Sequence, residues 1–577
     1  MRFPLTFFLS FFFVMAFGDG ALPGDLKTII DLQPFRQESS IPIKGAAGEE
    51  GRANLIQLNS HVNDWYVLRL SWGSGAATAE YHLENARPGS QKLLLDERHP
   101  QGLVIEERKK KSNCDLWGTN SKESLAAARA THAAYASLCG GKLYLRNPVK
   151  GHRTQIESVT DFLRDGVPAG EKIVSTVKDN FYQDAFREEA QTVEESKPSS
   201  PGPIRRKLGA PGPARIDPSR AGQVIASSHL GIEVRDLPAQ RIIPGNWYEA
   251  AGNPGIYVSL IAPHLIAQDI LRSDPRVVGT LDRVESEALV YLVAFDLDQF
   301  GVRFSLGTEH PRVDWSDRVQ DRMKDPSLPG PDGIGTIAPL VSNGLVSPTD
   351  VGRTAAVFTG GFKRTHGAFR WGQLALQNHG SHYGFIEHGT VFSKLQPGLA
   401  TLYELQDGRL GMKTWSEEDT PLLSQIRSAR QNGVPIITGY RREARLPEPG
   451  PLVSRWGEGN WSGSEEKKLR TMRAGVALQE VKGKRFLLYA VFTSATPSAM
   501  ARVFQAYGCL YAMHLDMNAL EHTYLAVYQR QGSNLVIQHP IQGMSALDKS
   551  SKGQYVPRFL GYADNRDFFT VLRKEAQ

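Results

Sequence analysis

Between Arg485 and Leu515 the chain carries three consecutive signals that leave few folds open. Arg485–Phe492 contains the apolar run Phe-Leu-Leu-Tyr-Ala-Val, which reads as a buried strand. Thr496 stands where a helix N-cap belongs, and Pro497 takes the first helical position, where an N–H has no helical partner in any case. The helix runs to Tyr507, Gly508 stops it, and Leu510–Leu515 forms a second apolar strand. Strand, helix and strand at this spacing predict a right-handed crossover between parallel strands. Asp516 then falls at the carboxyl end of the second strand, where open α/β sheets collect ligands. It is the first candidate functional residue.

The surrounding text, about 225 to 577, alternates strands, turns and a few helices, as in the buried strand Leu289–Phe295 that ends at Asp296. This predicts an α/β (α+β) C-terminal domain with a mixed sheet and the strand–helix–strand unit. Residues 21–190 form a separate, smaller α+β domain. Its strand-like stretches are Trp65–Leu70, Lys92–Leu95, Leu103–Ile105 and Lys142–Arg146. An alanine-rich segment between them predicts a helix from Lys122 to Leu138, capped at Asn120 with Glu123 in support and stopped at Gly140. Between the two lies a linker, 191–224, whose stretch from Lys197 to Arg220 is rich in Pro and Gly and has no apolar period. A length of 577 residues suits two to four units of about 150 residues each. With 41% hydrophobic and 22% charged residues the chain is globular, so disorder is excluded as its general state.

The N-terminus has one Arg, an apolar run from Phe7 to Phe17 broken only by Ser10, and the small residues Ala16 and Gly18. That reads as a signal peptide over 1–20, cleaved near Gly18 or Gly20, with a retained N-terminal anchor as the alternative. The run is shorter than the ~20 apolar residues of a spanning helix. The expectation is a secreted or periplasmic protein with no transmembrane anchor after processing. Of the three cysteines, Cys114 and Cys139 flank one segment, and export lets a disulfide between them persist. Closing a loop of about 25 residues contributes roughly 3 kcal/mol. Cys509 reads as core. A formal charge of +6 is small for this length, and Arg108–Lys111 follows the strand-like Gly102–Ile105 as a solvated turn, so no nucleic-acid partner is expected.

Four stretches, taken in order, resemble the phosphodiester glycosidase (uncovering enzyme) family. Ala355–Phe362 resembles its Val-Asn-Gly-Gly-Phe-Phe segment, and Tyr383–Thr390 its Phe-Gly-Ile…Gly-Thr strand. Arg473–Val476 is similar to Arg-Thr-Ala-Ile-Gly, and Ala512–Asp516 to Ala-Ile-Asn-Leu-Asp. The resemblance spans about 285 to 530. It departs at the signature loops. Where the family has Leu-Asp-Gly-Gly-Gly-Ser this chain has Leu515-Asp516-Met517-Asn518-Ala519-Leu520, and Thr359 replaces the Asn before Gly-Gly. Met517 and Ala519 bring Cβ atoms to the place where glycine backbone would approach a phosphate or sugar, and only Asn518 tolerates positive φ well.

The resemblance implies a substrate-binding set of Thr359, Gly360, Gly361 and Arg473, with His366 and Arg364 following the Gly-Gly turn; Asn518 joins the set as a polar residue of the cluster Asp516, Asn518, Glu521 and His522. Asp516, Glu521 and His522 are the catalytic candidates. A glycosidase needs two carboxyl groups ~5–9 Å apart. Alternatively His522, with an ordinary pKa of ~6.5, serves as acid–base. Glu521 and His522 read equally well as a solvated pair beside a strand-end aspartate. His379, His382, His388 and Glu387 lack the spacing of a tetrahedral zinc site, so neither metal nor cofactor is expected. Asn460-Trp461-Ser462 is a glycosylation acceptor pattern in a loop that also holds Ser464, without the Gly-x-Ser-x-Gly nucleophile setting. Two functions remain open. One is an exported hydrolase acting on a glycosidic or sugar-phosphodiester linkage of a carbohydrate or sugar-phosphate polymer. The other is a catalytically inactive cell-envelope binding or structural protein of the same fold.

Overall fold

The computed structural model describes residues 27–575 apart from 45–47, 74–77, 118–123, 155–192, 196–208, 238–240, 364–368, 370–371, 381, 456–469, 533 and 552–553. The signal segment, Asn120, Lys122, Glu123, Arg364, His366, Asn460, Ser462, Ser464 and part of the expected linker (191–192 and 196–208) lie outside the described residues. No helix among them is long and apolar enough to cross a membrane.

The fold is α+β and rich in antiparallel sheet. An eight-stranded sheet runs through the C-terminal part, and a five-stranded sheet containing Thr354–Thr359 packs against it. Phe358 from the smaller sheet lies 4.7 Å from the Tyr489 ring of the larger one. The strand–helix–strand unit is present as Lys484–Ala495, Pro497–Ala506 and Tyr511–Met517. Thr496 Oγ1 caps the helix by accepting from the Ala499 N–H, and Gly508 ends it at φ 67. The two strands do run parallel, but they are not neighbours. Thr471–Val481 lies between them and pairs antiparallel with both, so the expected mixed sheet is antiparallel at every neighbour pair described. The long hairpin 471–495 occupies the slot that a parallel partner would have taken.

Near the end of Tyr511–Met517 the ladder is irregular. Arg473 pairs with Met517 and Gly475 with His514, so two steps on one strand face three on the other. The extra residue is a β-bulge, which re-aims side chains where pairing ends. Asp516 sits on it.

The N-terminal six-stranded sheet shows strict alternation along Trp65–Trp72. Tyr66, Leu68 and Leu70 point into a core of that part's own, while Trp65 and Val67 join the core of the C-terminal part. Polar contacts reinforce this seam. Asp64 accepts from His388 Nδ1 and from Arg427 Nη2, each at 2.8 Å. Gln33 reads an outer strand as another strand would: its Nε2 donates to the Val391 carbonyl and its Oε1 accepts from the Val391 N–H, both at 2.8 Å. The last part of the expected linker is also docked. Gly212 exchanges two hydrogen bonds of 2.9 Å with the Gln479 amide.

The predicted helix 122–138 needs correction. The α-helix covers only Leu125–Ala130, capped by Ser124, and Tyr135–Leu138 is a strand. His132 takes φ 53, which a helix interior forbids, and Tyr135–Leu138 pairs with Leu143–Arg146. Strand pairing overrides the weak helix preference of alanine here. Cys114 and Cys139 are bonded, Cys509 is a buried free thiol, and Arg108 and Lys109 form an exposed turn at positive φ.

Candidate active site

Three segments meet at the bulged end of Tyr511–Met517: the turn after Thr354–Thr359, the loop 518–524, and the stretch 558–567 that leads into the strand Phe568–Arg573. Arg566 joins them. Its Nη1 donates to Asp516 Oδ2 at 2.6 Å, and its Nη2 donates to His522 Nε2 at 2.6 Å. A guanidinium only donates, so His522 Nε2 presents its lone pair, and Nδ1 carries the proton that goes to the Met517 carbonyl at 2.6 Å. Glu521 Oε1 stands 3.6 Å from His522 Nε2. Arg558 holds the Glu521 carbonyl at 2.7 Å and grips Asp564 with two bonds, of 2.8 and 2.9 Å.

Asp516 is buried, and burial pushes its carboxyl above the ordinary range; Arg566 and the Met517 N–H reverse only part of that. A buried carboxyl that keeps its proton more readily than usual is suited to donate it.

Thr359 and Gly360–Gly361 lie alongside. Thr359 Oγ1 donates to the His522 carbonyl at 2.6 Å, which ties the turn to the 518–524 loop. The Gly360 N–H donates to the Asp567 carbonyl at 2.7 Å. Gly361 has φ 128, and a Cβ there would stand 2.9 Å from Asn432 Oδ1 and 3.0 Å from Arg430 Cζ. Glycine is required at that point. Asn432 ties the turn to the bulged strand, accepting from the Phe362 N–H at 3.1 Å and donating to the His514 and Leu515 carbonyls at 2.8 Å. Asn518 adopts φ 85, the left-handed region that asparagine tolerates, and its Oδ1 accepts from Thr471.

Arg473 is 0% exposed and sits beneath the bulge. Its Nε donates to the Ala495 carbonyl at 2.7 Å and its Nη1 to Met517 Sδ at 2.8 Å. Burial lowers its pKa to about 9, and burial followed by the charge of Arg473 pushes His514 well below the usual imidazole value. His388 and His382 are buried against Asp64 and Asp332, whereas His379 is exposed, and no metal-ligand cluster occurs among the described residues.

Asp516, Glu521, His522, Thr359, Gly360 and Gly361 are thus brought together, with Asn518 and Arg473 on the adjoining backbone. Arg566, Arg430, Asn432 and Asp567 were missed by sequence reasoning. The available signal was Asp564-Asn565-Arg566-Asp567, four polar residues directly before the apolar strand Phe568–Arg573.

No family model and no curated protein matches the chain. Among solved structures, the zebrafish N-acetylglucosamine-1-phosphodiester alpha-N-acetylglucosaminidase catalytic domain, auto-inhibited by its pro-peptide, is similar over 56% of this chain and 85% of that chain. The identity is 12% and the TM-score 0.30, a weak structural resemblance.

Proposed function

We propose that the chain is an exported hydrolase acting on a glycosidic or sugar-phosphodiester linkage of a surface glycan, with Asp516 as its proton donor. The observation that carries this reading is the Asp516–Arg566–His522 set at the bulged strand end, with the carboxyl raised by burial. Asp516 gives its proton to the leaving oxygen, and Arg566 stabilises the carboxylate left behind. His522, accepting from Arg566, holds the guanidinium in place, and Glu521 lies beside it. Asn518 and His522 are partly exposed and form the polar rim that a sugar would meet.

One observation favours the alternative, a catalytically inactive binding or structural protein of the cell envelope. Thr359, Gly360, Gly361, Arg473 and Asp516 are all buried, and their polar groups bond within the protein. The deciding experiment offers the purified full chain a panel of glycosyl phosphodiesters, aryl glycosides and surface polysaccharides. Turnover supports the hydrolase. Retention on a polysaccharide without turnover of any member supports the binding protein and ends the hydrolase reading.

A further inference from the structure

Asp567 follows Arg566, and its carboxylate is fixed by three donors. His310 Nδ1 lies 2.6 Å from Oδ1, the Gly307 N–H donates to the same oxygen at 3.0 Å, and Arg430 Nη2 donates to Oδ2 at 3.2 Å. Burial alone would raise this carboxyl, but His310 and Arg430 outweigh it and hold it below the usual range. An ionised carboxylate only accepts, so His310 Nδ1 carries a proton, and in the neutral ring Nε2 bears the lone pair. His310 is 3% exposed, and Nε2 has no hydrogen-bond partner among the described residues. An unpaired buried polar atom costs about 1–3 kcal/mol, so its retention points to a use.

The His310–Asp567 pair connects to the surroundings of Asp516, because the Arg430 charge acts on both aspartates. The Asp567 carbonyl takes the Gly360 N–H at 2.7 Å, and Arg430 Nη2 donates to the Phe362 carbonyl at 2.7 Å. Glu309, next to His310, accepts from Lys363 Nζ at 3.3 Å, and the Lys363 charge acts on Asp516. The one short turn 359–363 therefore joins the His522 loop at its start and the His310–Asp567 pair further along.

We propose that His310 is the proton acceptor for the attacking water, with Asp567 as the positioning residue that fixes its tautomer; this rests on the hydrolase reading. His310 Nε2 takes one proton from water as the water oxygen bonds to the reacting carbon or phosphorus. The bond to the leaving oxygen breaks with its electron pair, and Asp516 supplies the proton that oxygen needs. The Asp567 carboxylate stabilises the imidazolium formed, and proton exchange with solvent resets both groups. No metal or co-reactant enters the balance.

The test uses the full chain and the panel member it turns over fastest. His310→Gln should lower kcat by ~10²–10⁴ with KM little changed. Imidazole in the buffer should restore part of the rate to His310→Ala and none to Asp516→Asn. A His310→Gln enzyme of unchanged kcat beside a dead Asp516→Asn enzyme overturns the base and leaves the hydrolase standing. A wild type inert on the whole panel overturns both. A readout independent of turnover is carbethoxylation by diethylpyrocarbonate, mapped by mass spectrometry. The folded wild type should be modified at His310 Nε2, more slowly in Asp567→Asn. If His310 resists modification while exposed His379 reacts, nothing reaches Nε2 and the proposal is wrong, even where the substituted variants fail to fold.

Discussion

Arg566 donates to the Asp516 carboxylate at 2.6 Å across a separation of fifty residues, and the same guanidinium holds His522. One cation thus sets the distance between a candidate proton donor and the loop that follows it.

Asp516→Asn should abolish most turnover, by ~10²–10⁴, because an amide has no proton to give. The amide oxygen still accepts from Arg566, and Arg566 keeps His522, so thermal unfolding should stay cooperative with a midpoint close to wild type. A variant that no longer folds would mark the carboxylate as structural.

Asp567 and Asp516 should affect stability with opposite signs. The Asp567 carboxyl is held below its ordinary value, so its contribution is present above the unfolded value of about 3.9 and is lost as pH falls through the lower folded value. The Asp516 carboxyl is raised, so its contribution is full below about 3.9 and is lost as pH rises through the higher folded value. Asp567→Asn should flatten the acid limb of the stability–pH curve, and Asp516→Asn should flatten a decline above it. Denaturant melts between about pH 2 and about pH 8 read both. Equal slope changes of one sign would refute the assignment.

Arg473→Lys separates a structural from a phosphate-binding role. Lysine lacks the planar fork that reaches both the Ala495 carbonyl and Met517 Sδ. The expected loss is about 1–3 kcal/mol of stability, with KM unchanged for any substrate found. A raised KM at full stability would instead place Arg473 on the substrate.

Limited proteolysis should spare residues 209–220, which are bonded to the body through Gly212, Ala214, Arg215 and Asp217, and should cut in the Pro/Gly-rich stretch before them. The two fragments should co-elute on size exclusion, because Trp65, Val67 and Asp64 are buried against the C-terminal part. Fragments that separate without denaturant would show that the seam is weak.

Asp516 was legible because apolar runs, a cap and a stop residue fix a strand end before any contact is known. The Gly360–Gly361 turn was legible only through the resemblance of Ala355–Phe362 to a Val-Asn-Gly-Gly-Phe-Phe segment, and the close approach of Asn432 and Arg430 to Gly361 is what the structure adds. Arg566, Asp567, Arg430 and His310 were not. Their side chains look like ordinary surface charges in the text, and only the sheets bring 307–310, 430–432 and 564–567 to one place. Arg473 shows the reverse limit. Its identity promised a ligand contact, yet its neighbours in space are a backbone carbonyl and a methionine sulfur. The alanine-rich stretch after Cys114 misled because local preference amounts to tenths of a kcal/mol per residue, which strand pairing easily exceeds.

Gln33 has a consequence for how the protein can be made. Thr390–Ser393 is the outermost strand of its sheet, and the Gln33 amide covers the Val391 backbone on that open side. An unprotected outer strand is a template on which a second molecule can pair. A version of this chain beginning after the N-terminal part would carry that template bare. It should be prone to edge-to-edge self-association at concentrations where the full chain stays apart, with Gln33 acting in the intact protein as a built-in chain terminator for sheet growth.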